Sequence, residues 1–277
     1  AGAGATFLFS VGPDHTGRAI RRVFRPGFVA KVNRTSVLSH YGLRTLLYGT
    51  LLPGPHIGRR AGETMRMVRD AGFEVGVHCH DHIRWQDFVA KRDASWTSRE
   101  MQRAVADFRT VFGTAPRTHG AAGWQMNDAA FAMEEALGLD YASDTRGDGP
   151  FIPLVAGRPL GCPQLPTTLP TLDELLGIDG TTADNVADVL LARTGPTATR
   201  NHVYTLHAEL EGMALQPAFA RLLSGWKTQG YELVAMERLW RSLDAATLPH
   251  CPVQSGEVPG RSGTLALQGP AIAGATA

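Results

Sequence analysis

Nowhere in the 277 residues is there an apolar run of about 18, so the sequence holds no simple membrane-spanning helix. Cysteine is scarce: Cys79, Cys162 and Cys251 are odd in number and scattered. They make neither a disulfide framework nor a zinc-ribbon spacing, and a reducing compartment is the default for such a chain. Net charge is almost absent, +1 at pH 7, which disfavours a nucleic-acid partner for the chain as a whole. No glycine fingerprint for a dinucleotide follows the first strand-like run, and no P-loop motif occurs. The N-terminal AGAGATFLFSVGPD has neither a starting Met nor the basic region of a signal peptide. It enters straight into a strand-like run, so further sequence upstream is expected.

One absence is local. No acidic residue lies between Asp14 and Glu63, while Arg18, Arg21, Arg22, Arg25, Lys31, Arg34, Arg44, Arg59 and Arg60 do. Apolar residues such as Ile20, Phe24, Phe28, Leu46 and Leu51 are interleaved with them. Such a mixture, a basic apolar insertion at about 15–62, suits the surface of an anionic membrane; an ordinary helical insertion with a basic solvent face suits it equally.

What is present is an alternation of strand-like and helical patterns. TFLFSVG (6–12), FEVGVH (73–78), LDYASD (139–144), HVYTLHAEL and YELVAM read as strands. ETMRMVRDAG, TSREMQRAVADFRTVFG, NDAAFAMEEALG, DNVADVLLART and PAFARLLSGWKTQG read as helices. Thr97 and Glu100 fit a capping box, and Asn127 fits an N-cap. The order predicts an α/β fold with a parallel sheet, a barrel in preference to a doubly wound sheet. The barrel is expected over 1–245, and 246–277, rich in Gly, Pro and Ala, is expected to be a disordered tail.

The chemistry concentrates in EVGVHCHDHIRWQ (74–86). His78 ends a strand-like run and His82 lies four residues on, a spacing that can meet one divalent ion if the chain turns between them. Isolated, an HxxxH pair is a weak signal. Position strengthens it, because catalytic groups of parallel barrels gather at the C-terminal ends of the strands. Asp14, His15, His78, Asp144 and His207 all close apolar runs. A metal with two imidazole ligands would leave His207 as general acid for a leaving amine, with Asp144 orienting it.

HCHDH (78–82), SDTRG (143–147) and YTLH (204–207) together resemble the NodB-type polysaccharide deacetylase family. FSVGPD, AAGW, SDTRG, QLPTTLPTLDE and HAELEG resemble a branch of it that deformylates an amino sugar on a lipid carrier. The resemblance spans roughly residues 1–245. It implies a distorted (β/α) barrel and a divalent metal, zinc first and cobalt or manganese as alternatives, on His78 and His82. His207 would be the general acid, tuned by Asp144, and Arg21, Arg22, Arg25, Trp124 and Arg146 would meet substrate or membrane. The implied substrate is 4-deoxy-4-formamido-L-arabinose on undecaprenyl phosphate, at the cytoplasmic face of the bacterial inner membrane, on the route to aminoarabinose-modified lipid A and polymyxin resistance.

The family carries paired aspartates on its first strand, one a metal ligand and one a general base, and no such motif occurs here. The first βα unit is therefore expected upstream of Ala1, with a gap beside the His pair where it would lie. Two alternatives stay open: a catalytically impaired binding protein of the same fold, and an N-deacetylase acting on a polysaccharide.

Overall fold

In the computed structural model, residues 2–24, 44–195 and 200–272 are described, without the side chains of 21–24. Strands β1 (Thr6–Ser10), β2 (Glu74–Cys79), β3 (Thr118–His119) and β4 (Tyr141–Ala142) form one sheet in that order, all parallel. Parallel strands need crossovers, and the helical stretches supply them. Helix α1 (Ile57–Asp70) connects β1 to β2, α2 (His82–Phe88) and α3 (Ala94–Phe112) connect β2 to β3, and α4 (Asp128–Ala136) connects β3 to β4. Val11, Met65, Val77, Phe108 and Phe112 pack between α1, α3 and this sheet.

Past β4 the wall continues as extended chain. Leu165 donates to the Ala142 carbonyl, Thr168 to that of Val203, and, at the other end, Gly4 to that of Leu233. HVYTL and YELVAM, read as strands in the sequence, are extended here without regular ladders. β1 is the edge of its sheet, and its far side faces a cleft. No closed barrel forms among the described residues. The fold is a parallel sheet flanked by helices, of the distorted-barrel type.

The sequence reading needs two structural corrections. Thr97 and Glu100 are not the start of α3. The helix begins at Ala94, and the Asp93 carboxylate caps it by accepting from the Trp96 amide. Asp93 is the better cap because a short carboxylate reaches the orphan amide and sits at the positive helix end. Asn127 does cap α4, accepting from the Ala130 amide.

Nor are residues 250–268 disordered. Strand β5 (Ile152–Val155) pairs with β6 (Arg158–Pro159) and with β7 (His250–Glu257), and β7 pairs antiparallel with β8 (Thr264–Gln268). Cys251, Leu265 and Ala266 are buried there. Gly- and Pro-rich composition hid two strands, the first of which pairs with β5, far back in the chain.

A third cluster sits under the C-terminal half. Helices α5 (Leu172–Leu175), α6 (Val186–Arg193) and α8 (Gln216–Thr228) pack Leu172, Val186, Leu190, Leu222 and Trp226 together. Between α6 and α8 in the chain lies the four-residue α7 (Ala208–Glu211), whose N-cap position is His207. Helix α9 (Met236–Arg241) follows α8.

Candidate active site

A cleft of about 2240 Å³ runs along the open edge of β1 and is lined by Ser10, Asp14, His78, His82, Trp124, Asp173, His207 and Arg261, among others. His78 is the penultimate residue of β2, and Asp81 turns the chain by capping α2, accepting from the Arg84 amide. That turn brings His82 back over the strand end, with the two imidazole centroids 5.1 Å apart. Asp81 also meets His15 at 2.6 Å, so it anchors the loop after β1. His80 turns away to Asp107 on α3, at 2.7 Å.

The Nδ1 of His78 lies 2.5 Å from the Gly120 carbonyl oxygen. A carbonyl can only accept, so Nδ1 carries the proton and Nε2 keeps its lone pair. Burial, reinforced by the nearby His119 and His207, lowers the His78 pKa to about 4, although the Gly120 carbonyl pulls the other way. A neutral imidazole with its far nitrogen fixed by a backbone carbonyl is the state a metal ligand requires.

His207 lies at the cleft end of the Tyr204–His207 segment. Its Nδ1 is 3.5 Å from Asp173 Oδ1, and its backbone N–H donates to Glu211 at 3.0 Å. Glu211 also accepts from the Tyr204 hydroxyl at 3.0 Å, and burial raises its pKa to about 7. The carboxylate beside His207 is thus Asp173, not the expected Asp144. Asp173 was inside the quoted string QLPTTLPTLDE, but only the folded chain shows which acid of that string faces the histidine.

Asp144 points into the core. His119 Nδ1 lies 2.8 Å from a carboxylate oxygen of Glu134 and 2.8 Å from one of Asp144. The Gln164 amide donates to both acids at 3.1 Å, and its oxygen accepts from the Asp144 amide. Burial alone would lower the His119 pKa, but Asp144 and the hydrogen bonds to both acids outweigh it and raise it to about 10. Burial and the Asp144 charge push Glu134 well above the carboxylate range. Burial pushes Asp144 up too, but the His119 charge and its hydrogen bonds hold it below. In this sealed cluster the surroundings favour the charged forms of His119 and Asp144 and the neutral form of Glu134.

By donor type and spacing, His119, Glu134 and Asp144 could also hold a metal ion; among the described residues no other such three-donor group forms. Hence no carboxylate joins His78 and His82 in a set of three. Asp14, the nearest acid in sequence to β1, is turned back on Thr16, accepting from its amide and hydroxyl.

The residues expected to meet substrate divide. Trp124 lines the cleft, with the guanidinium of Arg146 4.9 Å and that of Arg261 4.7 Å from its ring centroid. Arg146 itself is buried behind it, donating to Glu174 at 2.5 Å and to the Leu169 carbonyl at 3.0 Å. It is occupied by that acid rather than free for a phosphate. The Arg21 and Arg22 side chains and Arg25 lie outside the described residues. Nearby, Ile20 and Leu51 are largely exposed.

Solved structures show the same architecture. A protein assigned as a polysaccharide deacetylase from Mycobacterium smegmatis superposes with a TM-score of 0.58 over 93% of this chain and 96% of its own, at 16% identity. A probable polysaccharide deacetylase from Pseudomonas aeruginosa PAO1 gives 0.52 over 66% and 63%, at 22% identity. The fold is that of the polysaccharide deacetylases. No protein-family model matches the chain.

Sequence relatives narrow this further. A Shewanella sediminis protein named as probable 4-deoxy-4-formamido-L-arabinose-phosphoundecaprenol deformylase ArnD is 35% identical over 95% of this chain and 84% of its own. One of the same name from Wigglesworthia glossinidia brevipalpis is 27% identical over 95% and 91%. The chain belongs to the ArnD deformylase family.

Proposed function

We propose that this protein is a carbon–nitrogen hydrolase that removes the formyl group from 4-deoxy-4-formamido-L-arabinose carried on undecaprenyl phosphate, a step towards aminoarabinose-modified lipid A. The observation that carries the reading is the meeting of His78, His82 and His207 in one cleft of an ArnD-family chain.

The His pair fits a divalent cation, zinc first, with cobalt or manganese as alternatives. Both rings line the cleft, and the Nε2 lone pair of His78 is available. The buried group fits the reaction less well, because His119, Glu134 and Asp144 are buried away from the cleft lining. Held by the His pair, such an ion would supply Lewis acidity towards the formyl oxygen and a bound water. His207, with Asp173 beside it, would protonate the sugar nitrogen as the C–N bond breaks. Trp124 forms an apolar wall of the cleft near this point.

A polyprenyl-phosphate substrate also gives the acid-free 15–62 stretch a role as a peripheral contact with an anionic leaflet, at the cytoplasmic face of the inner membrane. No helix among the described residues is long and apolar enough to cross a bilayer.

The test is formate release from the lipid-linked formamido sugar, after chelation and after return of zinc, cobalt or manganese. Release that depends on added metal is expected. Binding of the sugar lipid without any formate, or turnover of an acetylated polysaccharide instead, would replace this reading.

A further inference from the structure

The C-terminal hairpin is part of the active site. Its turn is pinned to α5: a Cβ at Gly260, whose φ is +83°, would lie 2.4 Å from the Glu174 carbonyl oxygen, so only glycine lets the backbone approach so closely. The Gln125 side-chain amide donates to the Thr264 carbonyl at 2.6 Å, tying the hairpin to the residue after Trp124. On the other side, Arg146 and β8 exchange backbone hydrogen bonds through Ala266 and Gln268.

Held in this way, Arg261 points into the cleft wall with only 10% of its side chain exposed. Its Nε donates to Glu174 at 2.7 Å, and one terminal nitrogen donates to the Thr171 hydroxyl at 3.0 Å and to Asp173 Oδ1 at 3.4 Å. That same Asp173 oxygen accepts from Thr171 at 2.6 Å and lies 3.5 Å from His207 Nδ1. The guanidinium plane also covers Trp124. One rigid fork therefore touches the partner of His207, the acid beside it and the aromatic wall.

We propose that Arg261 is a positioning residue for His207, acting through Asp173. A carboxylate this buried, without its cation, would turn towards another donor and leave the imidazole unaligned. The guanidinium holds Asp173 in place, and its geometry, not only its charge, is needed because three acceptors are held at once. This inference rests on the deformylase reading only where turnover is measured.

Two readouts on the full chain test it, with Arg261→Gln, Arg261→Lys, Asp173→Asn and the double variant Arg261→Gln/Asp173→Asn. Each variant is first checked for folding by thermal melting. The first readout is formate release. Arg261→Gln is expected to lower kcat roughly 10- to 100-fold with KM changed less than about twofold, as for removal of an outer hydrogen-bonding partner. The double variant should be no more than about threefold worse than Asp173→Asn, since both act on one path. The second readout needs no substrate: the rate at which diethyl pyrocarbonate modifies His207, followed by peptide mass spectrometry. It should change severalfold in Arg261→Gln and in Asp173→Asn, and no further in the double variant.

Arg261→Lys keeps the charge and loses the fork, and should fall between wild type and Arg261→Gln in both readouts. If Arg261→Gln fails to fold, the lysine variant decides. Multiplicative losses in the double variant, or His207 labelling at the wild-type rate in the folded Arg261 variants, would overturn the proposal. A wild-type protein that releases no formate but shows the expected labelling pattern would overturn the substrate assignment alone.

Discussion

Two groups of imidazoles and carboxylates lie close together in this molecule, and they have opposite fates. His78, His82, His207 and Asp173 line a cleft, whereas His119, Glu134 and Asp144 are sealed in the core with Gln164. The residue types are the same, so identity does not separate them. Solvent access and saturation do. In the core His119, Glu134 and Gln164 face fixed partners, and the acids beside the histidine favour its charged form. At the cleft burial holds His78 neutral and the Gly120 carbonyl fixes the proton on Nδ1, which leaves Nε2 with its lone pair. The groups also touch: Gly120, whose carbonyl orients His78, directly follows His119 in the chain. The sealed pair is a footing for the open one.

The sharpest break of this comparison is at the open group. His207→Ala should lower kcat by roughly two to four orders of magnitude, the range for a lost general acid, in the formate assay. Retained turnover would remove His207 from the chemistry. At the sealed group the loss should appear in stability. Asp144→Ala removes one of the two carboxylates beside the buried His119, leaves Glu134 at 2.8 Å as its remaining partner, and should cost roughly 1–3 kcal/mol in urea unfolding. A folded Asp144→Ala protein of normal stability but poor turnover would return Asp144 to the catalytic set.

A smaller effect follows from pH. The folded-state pKa of His119, about 10, lies above its ordinary 6.5. A raised value means that its contribution is complete below about pH 6.5 and is lost as the pH rises through about 10. Glu134, also raised, acts in the same direction from a lower pH. The urea midpoint should therefore fall between neutral and alkaline pH, and Asp144→Ala should flatten that fall. Smallest of all should be Glu134→Gln. Burial and the Asp144 charge favour its neutral form, so an amide of the same shape should change stability by only about 1 kcal/mol. A loss as large as that of Asp144→Ala would mean that Glu134 carries the charge.

His78, His82 and His207 were legible in the sequence because their signals are local: a spacing of four across a turn, and a histidine closing an apolar run. Asp144 closes such a run too, yet it faces inward. A strand end fixes where a residue lies along the sheet, not which neighbour its side chain meets. Asp173 and Arg261 gave no local signal of their role, since their partners come from distant segments. Arg261 was further hidden in a stretch whose composition reads as a tail.

By itself, then, the sequence determined the order of strands and helices, the parallel sheet and the histidines of the cleft, because periodicity, caps and short spacings act between near neighbours in the chain. Tertiary structure alone decided which carboxylate lies beside the His207 ring, which acids are sealed with His119, and that the last strands fold back onto the cleft. Those choices depend on desolvation and on hydrogen-bond partners brought together across the whole chain, and neither exists until the core has closed.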